Sequence, residues 1–273
     1  MKIRKPNFDF SQTPAHWSKT PEFAQTSNAS SIWIPHLERF LNRVMAKAAG
    51  ALSVDDPAHV KLKAHIKTFI RQEAHHHATH EAFNRVLYRA GYDVSHFEKM
   101  FEEEYKKLFE TKSLAFLCAY CEGFETLGPP AAIMWLDDNV GEEVDQGDPN
   151  AVGLWKWHLM EEFEHRTVCF DVYNTVHGGY FLRVYAFFYQ LTLHRKFSKM
   201  VLDYLMEHDW SKMTAEDIAE SKKRLKGVAR RQAGLMLPRL FKVLLPFYSP
   251  YVAKEPQNFE RYRAQFDNEF QTS

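Results

Sequence analysis

The sequence predicts an all-α protein, and three observations support this fold class. Long segments carry apolar residues at helical spacing, with Gly or Pro residues between them. No segment sustains the alternation of apolar and polar residues that marks a strand. Two of the longest segments each contain a Glu-x-x-His pair, a spacing that places both side chains on one helical face. With 273 residues, 45% of them hydrophobic, the chain is long enough to bury a sizeable core.

The N-terminal part is predicted to be an irregular arm followed by two helices. Residues 1–30 are polar and contain three prolines, which predicts the arm. The run Asn28-Ala29-Ser30-Ser31 offers N-cap side chains for a first helix that extends to about Ala49. Asp55-Asp56-Pro57 starts a second helix, because proline at an early helical position needs no N–H, and Gly91 ends it.

The middle of the chain predicts four further helical segments. Residues 95–110 are amphipathic and predict a surface helix, whereas residues 112–127 are apolar and predict a buried one. Gly128-Pro129-Pro130 interrupts the buried helix, and a short helix continues through Leu136. After an acidic loop, a long helix is expected over residues 148–176.

The C-terminal part is also expected to be helical. Residues 180–206 and residues 211–244 show helical patterns, and a short helix is expected near the end of the chain. We therefore divide the chain into an irregular arm (1–30), a bundle core (31–178) and C-terminal helices packed on the same domain (179–273).

The pairs Glu73-x-x-His76 and Glu162-x-x-His165 are the most specific motif of the chain. A Glu and a His three residues apart on a helix can hold one metal ion. A single pair is ordinary on a solvated helix face. These two lie 14 to 17 residues after an Asp-Pro helix start, which indicates a weak internal repeat. Because burying such groups is costly without a partner or a metal, we predict that all four are metal ligands.

Two extra carboxylates complete the pattern. Glu38 is the only acidic residue in the first predicted helix, and Glu122 follows the apolar run of the predicted buried helix. Glu125 competes for the second position, and Glu122 is preferred. The order Glu, Glu-x-x-His, Glu, Glu-x-x-His is typical of a ferritin-like four-helix bundle with a di-metal carboxylate site, here with extra C-terminal helices. Two metal ions are expected, with iron first and manganese or zinc as alternatives.

Further histidines lie on the predicted ligand faces. His158, Glu162 and His165 form one stripe at i, i+4 and i+7, and His80 lies one turn after the first pair. Each extra imidazole is either a direct ligand or a hydrogen-bond partner of a ligand carboxylate. We include His158 among the predicted ligands. Glu161 and His80 are the candidate acid–base residues.

Composition excludes several classes of protein. Basic and acidic residues balance at 35 each and no basic stripe is present, so no nucleic-acid partner is expected. The chain has neither a secretory signal nor an uncharged apolar run of spanning length, so a cytoplasmic location is expected. Cys118, Cys121 and Cys169 are predicted to be buried thiols, rather than half of a zinc site.

These motifs resemble those of a bacterial, ferritin-like family named as predicted metal-dependent hydrolases. The similarity covers about residues 30–260. The segments that carry it are Phe69-Ile70-Arg71-Gln72-Glu73-Ala74-His75-His76 with His80 and Asn84, Leu154-Trp155-Lys156-Trp157-His158, Glu161-Glu162-Phe163-Glu164-His165 and Phe170-Asp171-Val172-Tyr173.

Two shorter segments resemble other motifs of the family. Ile34-Pro35-His36-Leu37-Glu38-Arg39 resembles the first-helix motif but lacks its usual glycine. Cys121-Glu122-Gly123-Phe124-Glu125-Thr126 resembles the third-helix motif, which supports Glu122 as the ligand. The stripe from His158 to His165 is also similar to that of di-iron arylamine N-oxygenases.

Three functional hypotheses follow. The first is a di-iron oxidoreductase that activates dioxygen to oxidise a small organic substrate, with electrons from a separate donor because no nucleotide-binding loop is recognisable. The alternative is a two-metal-dependent hydrolase, as the family name implies. The third is a non-catalytic iron-binding or membrane-surface protein, since residues 222–248 are basic and then apolar. The sequence leaves open a homodimer.

Overall fold

The protein is all-helical over residues 1–269, the part of the chain that the computed structural model describes. No residue of this range lies in a β-strand, which confirms the predicted fold class. Two short 3-10 turns, Phe241–Leu244 and Pro250–Val252, lie in the C-terminal part. The helices are α1 Pro21–Ala51, α2 Pro57–Arg89, α3 Ser95–Thr111, α4 Leu114–Glu125, α5 Gly128–Leu136, α6 Glu142–Asp145, α7 Pro149–His165, α8 Val168–Val176, α9 Tyr180–Trp210, α10 Ala215–Leu240 and α11 Phe259–Glu269.

The first helix begins earlier than the sequence predicts. Pro21 lies in the first turn of α1, and Thr20 precedes it in an extended conformation. A proline in a polar stretch is typical of irregular structure, whereas proline at the first position also favours a helix start. The irregular arm therefore spans residues 1–20 rather than 1–30.

The helix predicted over residues 148–176 is two helices in the structure. α7 ends at His165, and a turn at Arg166 and Thr167 precedes α8. No glycine or proline marks this break, so the sequence did not reveal it. His165 consequently lies at the C-terminal end of its helix, whereas His76 lies in the interior of α2.

Helix packing is organised around α1. This helix packs against α2 and α9 along much of its length, and it also contacts α3 and α4. α4 packs against both α8 and α9, α5 packs against α7, and α2 contacts α7 and α8. The inner faces of α1, α2, α4 and α7 therefore share one buried region.

Both ends of the described chain pack on α7. Arg4 of the arm is buried, and its guanidinium contacts Glu161 and Glu164 of α7 as well as Asp267 of α11. Residues 270–273 of the predicted C-terminal region lie outside the described residues. Among residues 1–269, no helix has both the length and the apolar character needed to cross a membrane.

Candidate metal centre

Six predicted ligands converge in the interior of the protein. Each of the six residues is at most 3% exposed to solvent. They come from three helices, and none of them faces solvent. They are Glu38 of α1, Glu73 and His76 of α2, and His158, Glu162 and His165 of α7.

The six side chains form two overlapping groups of four, and the ligand atoms of each group lie within 4.8 Å of one another. The groups are Glu38, His76, His158 and Glu162, and Glu73, His76, Glu162 and His165. His158 Nε2 lies 3.1 Å from Glu162 Oε1, and His165 Nε2 lies 3.0 Å from Glu73 Oε1. His76 and Glu162 belong to both groups. Because a carboxylate can bridge two ions, Glu162 is placed to join two metal sites.

Many buried polar atoms of this centre have no hydrogen-bond partner. They include both carboxylate oxygens of Glu38, Oε2 of Glu73 and Nδ1 of His76. A buried polar atom without a partner costs about 1–3 kcal/mol. Carboxylate oxygens and imidazole nitrogens are ligands that iron, manganese and zinc accept. The residues present therefore fit divalent metal ions.

The pKa values of the metal-free centre also indicate that positive charge stabilises this group of carboxylates. Burial lowers the pKa of His76, but Glu161 and Glu73 outweigh it and raise that pKa to about 9. Burial raises the pKa of Glu73, but the imidazoles of His165 and His76 hold it below its ordinary value. Burial, reinforced by Glu73, raises the pKa of Glu38 well above its ordinary value. Protons on imidazoles thus supply the charge that metal ions would bring.

Each Glu-x-x-His imidazole is held by a carboxylate at its outer nitrogen. Nδ1 of His76 lies 3.6 Å from Oε1 of Glu73 and so faces the centre, whereas its Nε2 lies 3.1 Å from Oε2 of Glu161. Nε2 of His165 faces the centre, and its Nδ1 lies 3.0 Å from Oε2 of Glu125. Arg4 Nη1 donates to the other oxygen of Glu161 over 3.1 Å. Such a carboxylate fixes the tautomer and the orientation of a metal-binding imidazole.

His158 is held by an uncharged chain of hydrogen bonds instead. Ser31 Oγ donates to Oδ1 of Asn84 over 2.5 Å, so it accepts from Nδ1 of His80, 2.8 Å away. His80 Nε2 then accepts from His158 Nδ1, again at 2.8 Å. Burial, reinforced by His158, lowers the pKa of His80 well below its ordinary value, which keeps this ring neutral. The chain leaves Nε2 of His158 with a lone pair directed at the centre.

A proline in α1 explains why this chain forms. Pro35 has no N–H, so the carbonyl of Ser31 lacks the donor that an uninterrupted helix would provide. Nδ2 of Asn84 donates to that carbonyl over 2.9 Å. Because Pro35 leaves this carbonyl without a helical donor, the side chain of Asn84 can link α1 to α2 beside His80.

Among the described residues neither Glu122 nor Glu125 belongs to a ligand group, and the structure places Glu125, rather than Glu122, beside the imidazole of His165. Glu122 is buried with both oxygens unpartnered, and Arg183 Nη1 lies 3.9 Å from its Oε1. Burial, partly offset by Arg183, raises the pKa of Glu122 to about 7. Residues three apart on a helix differ by only about 60° in direction, so the spacing could not separate these two glutamates. In the folded protein, the 3.0 Å contact between Glu125 Oε2 and His165 Nδ1 distinguishes them.

The two candidate acid–base residues have positioning contacts. Glu161 lies between His76 and Arg4, and His80 lies between His158 and the Ser31 hydroxyl. Their polar atoms are therefore engaged with other side chains instead of facing an open site. Arg4 was missed because an irregular arm carries no periodicity that would indicate which of its residues are buried.

The three cysteines are free and buried, which confirms their prediction as structural thiols. Neither ligand group contains any of them. Burial raises the pKa of Cys118 to about 12, so this thiol stays protonated at neutral pH.

Comparison with known families agrees with this geometry. A family model described as "predicted metal-dependent hydrolase" matches residues 2–253, which is most of the chain and includes every residue of both ligand groups. The chain belongs to that family. It matches no curated protein and no solved structure. The name of this family suggests a metal-dependent enzyme, and the buried Glu/His groups could bind its metal ions.

Proposed function

We propose that this protein is a two-metal-dependent hydrolase with a ferritin-like di-metal centre. The observation that carries the proposal is the pair of overlapping ligand groups, which share His76 and Glu162. Six buried ligands, some of whose polar atoms have no hydrogen-bond partner, are more than a solvated helix face requires. The family description supplies the reaction class.

The ligands divide naturally between two ions. Glu38 and His158 would hold one ion, Glu73 and His165 would hold the other, and Glu162 lies between them. Two divalent ions at these positions would supply Lewis-acid activation of water and of a substrate carbonyl or phosphoryl group. The fourth carboxylate is Glu125, which holds His165 at its outer nitrogen.

The surrounding residues fix the ligands and exclude water. The ring of Trp157 lies edge-on to His76 with centroids 4.9 Å apart, and Phe69 contacts His165 in the same way at 4.8 Å. These apolar contacts and the outer hydrogen bonds hold the imidazoles before any ion binds. Such preorganisation is what a two-metal catalyst needs, because ligands fixed in advance need little reorganisation during the reaction.

Oxidation by dioxygen is a second candidate, and one observation favours it. Three imidazoles, His76, His158 and His165, take part in the two groups beside three carboxylates, and iron accepts this mixed set of nitrogen and oxygen ligands. In this alternative the metal is iron, and a separate protein supplies the electrons.

Metal replacement tests the two candidates against each other. The protein is stripped of metal, reloaded with zinc, manganese or iron, and assayed with a panel of esters, amides and phosphoesters, while oxygen uptake is followed. Hydrolysis supported by redox-inert zinc supports the hydrolase. Oxygen uptake with iron alone, and no hydrolysis with any metal, selects the oxidase reaction. A purified chain that binds less than about one ion contradicts both.

A further inference from the structure

A cleft of about 700 Å³ opens on the side of the protein where α4 meets α5. Thr126, Pro129 and Pro130 form part of its wall at this junction. Another part of the wall comes from the C-terminal end of α10, the two 3-10 turns and the segment between these turns, and it includes Val243 and Tyr248. Its volume lies in the range of small-molecule binding sites, which is about 300–1,000 Å³.

Gly128 lies between the lining of this cleft and the metal centre. A Cβ on Gly128 would lie 3.2 Å from Cβ of Glu162 and 3.4 Å from its Oε2, so the backbone of Gly128 packs directly on the shared carboxylate. The next two residues, Pro129 and Pro130, line the cleft. A single peptide segment at Gly128 therefore lies between the cleft and Glu162.

The outer wall of the cleft is unusually apolar for an exposed surface. Phe247 and Val252 both line the cleft, and they are 80% and 84% exposed. Leu245 also lines it and is exposed. Contiguous exposed apolar side chains at a concave site indicate a surface that an apolar ligand covers.

The charged residues of the cleft are mainly basic. Arg239, Lys242 and Lys254 line it, whereas Asp137 is the only acidic side chain in the lining. Oδ1 of Asp137 accepts a hydrogen bond from the backbone N–H of Asn258. Within residues 1–269, neither Lys242 nor Lys254 makes an ion pair, so both ammonium groups are available to an anion.

We propose that this cleft binds the substrate of the metal centre and that the substrate is an anionic amphiphile, with a carboxylate or similar anionic head and an apolar body. The lysines at the rim would hold the head, and the exposed apolar wall would hold the body. That this ligand is a substrate rests on the proposed function. Binding of the ligand to the cleft does not require metal.

Binding of matched probes tests the ligand class. Decanoate and decanol have the same chain and differ in charge, and both are titrated by calorimetry into the metal-free protein below their aggregation concentrations. The charge-reversal variant Lys242→Glu/Lys254→Glu is compared with Lys226→Glu/Arg230→Glu. The control pair also lies on exposed positions of the C-terminal region, but it does not line the cleft.

We expect decanoate to bind more tightly than decanol, and the cleft variant to weaken decanoate binding about tenfold at low ionic strength. The control variant should leave both affinities unchanged. Equal affinities for the two probes, or an equal loss in the control variant, would overturn the proposed ligand class.

A relaxation measurement tests the link between the cleft and the metal centre. The protein is loaded with Mn²⁺, and the proton relaxation of bound decanoate is compared with that in zinc-loaded protein. Enhanced relaxation that is lost in the Lys242→Glu/Lys254→Glu variant supports a substrate site beside the metals. Decanoate binding without enhanced relaxation overturns this placement. A protein that binds decanoate but no Mn²⁺ contradicts the proposed function and leaves the ligand class standing.

Discussion

The two Glu-x-x-His pairs have the same spacing but different surroundings. His76 lies inside α2, turns Nδ1 to the centre and contacts Glu161, which Arg4 of the N-terminal arm holds in turn. His165 ends α7, turns Nε2 to the centre and contacts Glu125 of α4. Only α7 adds a third imidazole to the centre.

This difference shows what the motif controls and what it leaves to its neighbours. The three-residue spacing brings one carboxylate and one imidazole together in both helices. The nitrogen that faces the centre is selected by the carboxylate on the opposite side of the ring, and that carboxylate comes from another helix. The centre is therefore asymmetric even though its two central motifs are alike.

The largest expected effect is the loss of metal in Glu162→Ala. Because Glu162 belongs to both ligand groups, we expect metal content to fall from about two ions per chain to almost none. Glu73 belongs to one group, so Glu73→Ala should retain about one ion. Mass spectrometry of the metals in purified protein measures this. Glu81→Ala, at an exposed ion pair of α2, is the control, and equal metal loss in the two site variants would contradict the assignment.

The carboxylates at the outer nitrogens give the next largest effect. Glu161→Gln and Glu125→Gln should each lower metal affinity by about 10- to 100-fold, because the imidazole loses the group that fixes its orientation. Glu161→Gln should also lower the free energy of unfolding, since it breaks the buried pair with Arg4. Competition with a chelator measures affinity, and urea denaturation measures stability. Unchanged metal affinity in both variants would show that Glu161 and Glu125 do not position the imidazoles.

The stability of the metal-free protein should fall as pH rises from about 6.5 to about 9. The pKa of His76 is raised to about 9 by Glu161 and Glu73 against the effect of burial, so the folded state holds this proton more tightly than the unfolded chain. The stabilisation is complete below the unfolded value and disappears as pH passes the folded value; we expect a loss of a few kcal/mol. Urea denaturation at several pH values measures it. The zinc-loaded protein is the comparison, and equal slopes with and without metal would contradict the prediction.

The smallest effect is expected from a change in the hydrogen-bonded chain that holds His158. Ser31→Ala removes the hydroxyl that accepts from His80, and we expect the free energy of unfolding to fall by about 1 kcal/mol. Ser30→Ala is the matched control, because Ser30 is partly buried and its hydroxyl makes only a 3.5 Å contact with the Thr26 carbonyl. Thermal denaturation of the metal-free variants compares them. A larger loss in Ser30→Ala would show that the chain from Ser31 does not hold His80.

The helices and most of the ligands were predictable because both depend on local spacing. The pairs at Glu73 and Glu162 needed only helical periodicity, and Glu38 was the only acidic residue of its predicted helix. The start of α1 was misplaced because Pro21 is compatible both with a loop and with the first turn of a helix. Local sequence does not distinguish these two roles.

By itself, the sequence determined the all-α fold, the two Glu-x-x-His motifs and Glu38 as the acidic residue of its helix, because periodicity fixes which side chains share a helix face. The tertiary structure brought these ligands together and placed Glu125, rather than Glu122, beside His165. It also gave Glu161 and His80 their positioning contacts, and it brought Arg4 from an irregular arm to the outer edge of the centre. These outcomes depend on the rotation and separation of whole helices, which packing sets and residue spacing does not encode.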